Sequence, residues 1–153
     1  KTDAMRHLVW RVAYAPGTLH AVARRGGRVI TTSDVRTAGR GVRVKLEPDR
    51  ASIHGDGKDL SFVTVTVVDD HGTAVPTADN LVHFRIDGPA TIAGVDNGDQ
   101  VSHAPMKANS VRLFNGKGLL IVQSKRAGGM VTVRASSEGL ADGSTRLTLS
   151  RNH

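Results

Sequence analysis

The sequence predicts an all-β sandwich, and three observations carry that expectation. Apolar residues alternate with a period of two in almost every segment, β-branched side chains replace aromatic ones, and turn residues recur at regular intervals. Of 153 residues only 3% are aromatic, while 17 Gly and 5 Pro punctuate runs rich in Val and Thr. Branching at Cβ suits the pleated, half-buried surface of a sheet. No segment carries a 3.6-residue apolar stripe over three helical turns, and strands at this spacing indicate a Greek-key arrangement.

In chain order, the alternation predicts strands over residues 8–13, 18–25 and 28–33, the last two joined by a tight turn at Gly26-Gly27. Glycines then interrupt at Ala38-Gly39-Arg40-Gly41, a boundary between strand patterns. Beyond it, strands are expected at 42–47, 60–68, 81–87, 110–114, 118–124, 130–135 and 145–150. Leu60, Phe62, Val63, Val65, Val67 and Val68 form the longest β-branched run, which ends at the turn signal Asp69-Asp70-His71-Gly72. Asn115-Gly116 reads as a second hairpin turn, and Phe62, Phe84 and Phe114 read as core. Seven or eight strands over 42–153 are the complement of one immunoglobulin-like sandwich. The three strands before the 39–41 linker cannot build both layers of another, so residues 1–38 read as the last strands of a truncated β-sandwich domain.

Composition excludes several function classes. Cys is absent, so there is no disulfide framework, zinc–thiolate site or thiol nucleophile. No run approaches 18 apolar residues, so no membrane partner is expected, and residues 1–12 lack the apolar stretch of a signal peptide. The formal charge is +7, from 21 basic and 14 acidic residues. The basic residues come in short clusters around an Asp-rich middle, without the aromatic ladder of single-strand binding, so no nucleic-acid partner is expected either. The seven His residues show no metal-ligand spacing, and no cofactor is expected. Asp96, Asn97 and Asp99 supply hard oxygens and are the candidate calcium ligands, although Asx side chains around Gly98 also bond their own turn. Trp10 and Tyr14 are the candidate sugar platforms; their alternation with Val12 favours a buried aromatic anchor instead.

Particular stretches also carry a resemblance. Trp10-Arg11-Val12-Ala13-Tyr14-Ala15-Pro16-Gly17-Thr18-Leu19 and Val35-Arg36-Thr37-Ala38-Gly39 are similar to the end of the penultimate domain of bacterial glycoside hydrolase family 2 enzymes of the β-galactosidase type. Leu46-Glu47-Pro48-Asp49-Arg50, Asp56-Gly57-Lys58-Asp59-Leu60-Ser61-Phe62-Val63-Thr64-Val65, Gly94-Val95-Asp96-Asn97-Gly98-Asp99 and Phe114-Asn115-Gly116-Lys117 resemble the final immunoglobulin-like domain of those enzymes. The resemblance implies a bacterial parent, periplasmic or secreted, with a (β/α)₈ barrel bearing two catalytic glutamates. This chain has two glutamates, Glu47 in Leu-Glu-Pro and Glu138 in Ser-Ser-Glu-Gly, and neither sits in an Asn-Glu pair of the family's kind. No catalytic residue carries over. The expected role is therefore a non-catalytic accessory domain whose partners are the barrel and other domains of the parent. The alternatives are a carbohydrate-binding module that takes a glycan, and an adhesin-like interaction module. A homodimer of this chain through the N-terminal strands is a further expectation, since an unpaired sheet edge invites another chain.

Overall fold

Gly26 and Gly27 both take positive φ, +56° and +79°, which is the turn geometry whose twist matches that of flanking antiparallel strands. They join β1 (Thr18–Arg25) to β2 (Arg28–Arg36), paired from Arg25↔Arg28 out to Thr18↔Arg36. The computed structural model describes residues 9–151, and the chain divides into two compact units, Lys1–Thr37 and Ala38–His153. The hairpin is the whole sheet of the first unit among the described residues. The expected strand over 8–13 is not formed: residues 9–13 belong to no strand, and Leu8 lies outside the described residues. Alternation alone does not make a strand. A third ladder must bond it, and β1 and β2 pair only with each other. Both hairpin strands are exposed along their full length. Trp10 and Tyr14 are exposed as well, 72% and 80%, so the buried aromatic anchor is corrected; among its described residues this unit has no second layer that could cover them.

Among the described residues the second unit holds nine strands: β3 (Arg43–Pro48), β4 (Ser52–His54), β5 (Leu60–Val68), β6 (Leu81–Asp87), β7 (Ala90–Asp96), β8 (Ser110–Arg112), β9 (Lys117–Ser124), β10 (Gly129–Ser136) and β11 (Gly143–Ser150). They form a five-stranded sheet, β4-β11-β10-β6-β8, and a four-stranded sheet, β3-β5-β9-β7. Every pairing is antiparallel except β4 with β11. One core lies between the sheets. Val63, Val65 and Val67 of β5 and Leu120 and Val122 of β9 join Val82 and Phe84 of β6, Val131 and Val133 of β10, and Leu147 and Leu149 of β11. Two of these strands, β4 and β7, escape the periodicity. The first is three residues long, and the register of the second shifts between Ile92 and Gly94, which breaks its alternation.

Two of the three phenylalanines are misplaced by the sequence reading. Phe84 is buried, but Phe62 and Phe114 are 40% and 43% exposed. On β5 the inward phase belongs to Val63, Val65 and Val67, so Phe62, one residue out of step, must face outward. Phe114 precedes the Asn115-Gly116 turn, where φ values of +50° and +74° are closed by paired Phe114–Lys117 backbone hydrogen bonds of 2.9 and 3.0 Å. The turn is the expected one, yet it joins strands of different sheets, β8 and β9. It is a corner of the sandwich and not a hairpin within one sheet. A Cβ on Gly116 would lie 2.1 Å from the Val75 carbonyl oxygen, so this corner admits only glycine.

The chain enters the second unit through a single carboxylate. Asp69, 1% exposed at the end of β5, accepts the Gly39 N–H on Oδ2 at 2.8 Å and the His71 and Thr73 N–H groups on Oδ1 at 3.0 and 2.8 Å. It thus closes its own turn and holds the 38–41 segment at once. The Gly39 bond above all keeps its carboxyl below the ordinary value of 3.8, against the opposing effect of burial.

Two outcomes follow from this architecture. Leu120→Ala, at a site with 0% exposure, should cost about 2–5 kcal/mol of unfolding free energy in urea titration. Phe62→Ala, despite removing an aromatic ring, should cost only about 1 kcal/mol or less, as an outward cross-strand neighbour does. For Asp69, a depressed folded-state pKa means that its stabilisation is fully present above 3.8 and is lost as the pH falls through the lower folded value. Asp69→Asn leaves the Gly39 N–H facing an amide donor. The variant should melt lower than the parent chain at neutral pH and show a flatter loss of thermal midpoint below pH 4; an unchanged melting profile would refute the anchor.

Candidate functional site

The loop that follows β7 is built by its own side chains. Asp96 Oδ1 accepts from the Asn97 and Gly98 N–H groups at 2.7 and 3.1 Å, Asn97 Oδ1 from Asp99 N–H at 3.0 Å, and Asp99 Oδ1 from Val101 N–H at 3.1 Å. Gly98 supplies the positive φ of +73° that the turn requires. The structure therefore brings the three candidate calcium ligands together, and it gives each a bond to backbone within the loop. Asn97 Nδ2 also donates to the Arg112 carbonyl at 2.9 Å, which ties the loop to β8.

Arg112 is the pivot of the adjoining surface. Its Nη1 donates to the Asp79 carbonyl at 3.0 Å. On one side lies a mainly apolar cleft of about 260 Å³ between Val95, Met106, Val111 and Leu81. On the other lies a wider depression of about 640 Å³ with Asp79, His83, Ser136 and Glu138 on its walls. No aromatic side chain lines either of them. Trp10 and Tyr14 belong to the other unit.

The remaining acidic groups organise corners. Asp59 accepts the His54 N–H at 2.8 Å and the Arg50 guanidinium at 3.0 Å, and Asp49 takes the Ser61 hydroxyl at 3.0 Å and the Phe62 N–H at 2.8 Å. The Asp56 carboxyl is lowered by the Lys58 and Asp59 N–H groups and the Asp59 carboxyl by that of His54. The Asp87 carboxyl is lowered by Arg85 and then Arg134, which donate at 3.1 and 3.3 Å. Every one of these shifts holds a permanent charge, the opposite of what a general acid needs at neutral pH. Asp69, Asp70 and His71 cluster closely enough to offer three ligand atoms, but Asp69 is committed to backbone and Asp70 pairs with His71 at 2.5 Å. Sequence reasoning saw this stretch as a turn and missed that Asp69 is buried. The available signal was its place directly after Val67-Val68, where alternation gives way to two consecutive valines.

The two glutamates do not meet. Glu47 lies on β3 and is paired with Lys45 at 2.7 Å, whereas Glu138 follows β10 in the other sheet. The arrangement supplies fixed turns, a polar depression and one buried carboxylate, Asp69, locked by backbone, and no acid–base pair among the described residues.

Comparison with known proteins agrees with this picture of a non-independent part. The family model described as glycoside hydrolase family 2 C-terminal domain 5 matches residues 44–146, and a domain of unknown function, DUF4982, matches residues 1–31. The chain is 44% identical over 134 residues to the β-galactosidase BoGH2A of Bacteroides ovatus, covering 88% of this chain and 16% of that protein. A crystal structure of a glycosyl hydrolase family 2 member from Bacteroides cellulosilyticus superposes with a TM-score of 0.88 at 38% identity, over 94% of this chain and 19% of that one. A β-glycosidase from Bacteroides vulgatus gives 0.87 at 25% identity, over 93% and 18%. The chain spans between a sixth and a fifth of the length of these relatives. With the family's C-terminal domain laid over both sheets of its larger unit, the chain belongs to glycoside hydrolase family 2.

Proposed function

We propose that this chain is the non-catalytic C-terminal accessory portion of a β-galactosidase-type enzyme, and that it braces the end of the parent while the catalytic barrel lies elsewhere in the polypeptide. The observation that carries the reading is the match of a C-terminal domain to residues 44–146 in a chain that lacks the chemistry of the family. Retaining hydrolysis needs two carboxyls about 5–5.5 Å apart across the scissile bond, one of them protonated at working pH. Here Glu47 is neutralised by Lys45, Glu138 lies in the turn after β10 of the other sheet, and the perturbed aspartates are all shifted toward permanent charge. The β-galactosidase assignment of the parent draws on the relative of that name from Bacteroides ovatus. The first unit is then the closing hairpin of the preceding β domain, whose other strands would cover its apolar side chains.

A second reading, glycan capture, has one observation in its favour: the exposed rings of Trp10 and Tyr14. Stacking on a pyranose needs an accessible aromatic face, and these two have it. They flank no depression among those described, so the brace remains the better account.

Incubated with an aryl β-galactoside, the purified chain should release no phenol above the buffer rate. Release that survives repurification and vanishes in Glu47→Gln or Glu138→Gln would refute the accessory reading. Isothermal titration with lactose and with galactan fragments should give no saturable heat at millimolar ligand. Micromolar binding abolished by Trp10→Ala would replace the brace by the glycan module.

A further inference from the structure

The two sheets of the larger unit present unlike outer surfaces. On the five-stranded sheet the outward positions carry Arg85, Arg112, Arg134 and Arg146, one on each of β6, β8, β10 and β11. Asp87 bonds two of them, Arg85 and Arg134; Arg112 and Arg146 form no ion pair among the described residues. On the four-stranded sheet the outward positions of the two central strands carry Leu60 and Phe62 of β5 and Leu119 and Ile121 of β9. They are out of phase with Val63, Val65, Leu120 and Val122, which fill the core. Phe62 is directly opposite Ile121, and Thr64 opposite Leu119, so these side chains form one continuous apolar patch. At its β3 border Lys45 and Glu47 pair at 2.7 Å, and Arg43 is exposed on the same outward phase.

We infer that this outer face of the four-stranded sheet is the docking seat for another part of the same polypeptide, and that the Arg-bearing face is turned to water. The inference rests on the accessory reading and adds the side on which the brace makes contact. A solvated outer face of an antiparallel sheet ordinarily alternates to polar residues, yet here the central strands keep four large apolar side chains outside the core. Their occupant is identified by the length of the relatives: more than four fifths of each lies outside the region this chain matches. A tethered neighbour is held at high effective concentration, so a modest patch suffices to seat it. Phe62, Leu119 and Ile121 call for a partner surface with an apolar centre. Burying the opposite face would strip water from four guanidinium groups that have one carboxylate between them.

Hydroxyl-radical footprinting with mass spectrometry reads this directly, on the chain alone and on the longer enzyme that carries it. Phe62 and Met130 serve as paired reporters, since Met130 is 62% exposed and stands on the outward phase of β10. Oxidation of Phe62 should fall severalfold in the longer enzyme while that of Met130 stays the same. Equal Phe62 oxidation in both samples, or protection of Met130 in place of Phe62, would overturn the assignment. Phe62 protection that appears in the isolated chain only on raising its concentration would name a second copy as the occupant, and would also overturn it. The accessory reading fails on a different measurement, hydrolysis by the isolated chain, which leaves the footprint unaffected.

Discussion

The sheets of the larger unit meet through Val, Leu, Ile and Ala side chains and a single buried ring, Phe84. Short, stiff side chains of this kind fill an interlayer only when both sheets hold their alternation in phase, because none can reach across a gap the way an aromatic or a methionine does. The inward phase of β5 thus fixes β3 and β9 by register, and β10 fixes β6 and β11 in the same way. Everything that is not a β-branched core position is pushed to a defined place: Phe62 outward, Ser61 inward with its hydroxyl satisfied by Asp49, and Asp69 to the end of the run where backbone N–H groups await it.

The same constraint explains what could be read in the sequence. Strands with strict alternation, such as β5, β9 and β10, and the turns at Gly26-Gly27 and Asn115-Gly116 announce themselves through local chemistry. The three-residue β4 has no period to show, and β7 hides behind a register shift near Gly94. The opposite error, the strand expected over residues 8–13, comes from alternation around Trp10 and Val12 with no described neighbour to bond. Phe62 was legible after all: three valines at 63, 65 and 67 set the phase, and hydrophobicity alone was allowed to outvote it. Which sheet each strand joins was not legible, since Asn115-Gly116 has the same local signature within a sheet as at a corner between two.

The candidate site was legible in its composition and not in its use. Asx residues at 96, 97 and 99 point to a self-bonded turn ahead of an ion site, and the hydrogen-bond geometry shows each bonded to backbone of the loop. The acidic middle of the chain has the same character throughout. Its carboxylates serve as backbone acceptors at strand ends, where a loop leaves N–H groups without ladder partners. A domain that spends its aspartates on corners has rigid connections and few acidic groups left for chemistry, which suits a structural part of a larger enzyme.

The parallel pairing of β4 with β11, beside a parallel bridge from Arg43 to Ala141, gives the larger unit a mechanical character. Near its start and at its end the chain runs the same way, Ser52 beside Thr148 and His54 beside Ser150. Flanking hydrogen bonds of 2.8 Å run from Thr148 N–H to the Ala51 carbonyl and from Gly55 N–H to the Ser150 carbonyl. Tension applied between the two ends of this unit pulls β4 and β11 lengthwise in opposite directions. Their bonds are then loaded together in shear and cannot be unzipped one at a time. A unit tied in this way resists extension most when its two ends are pulled apart.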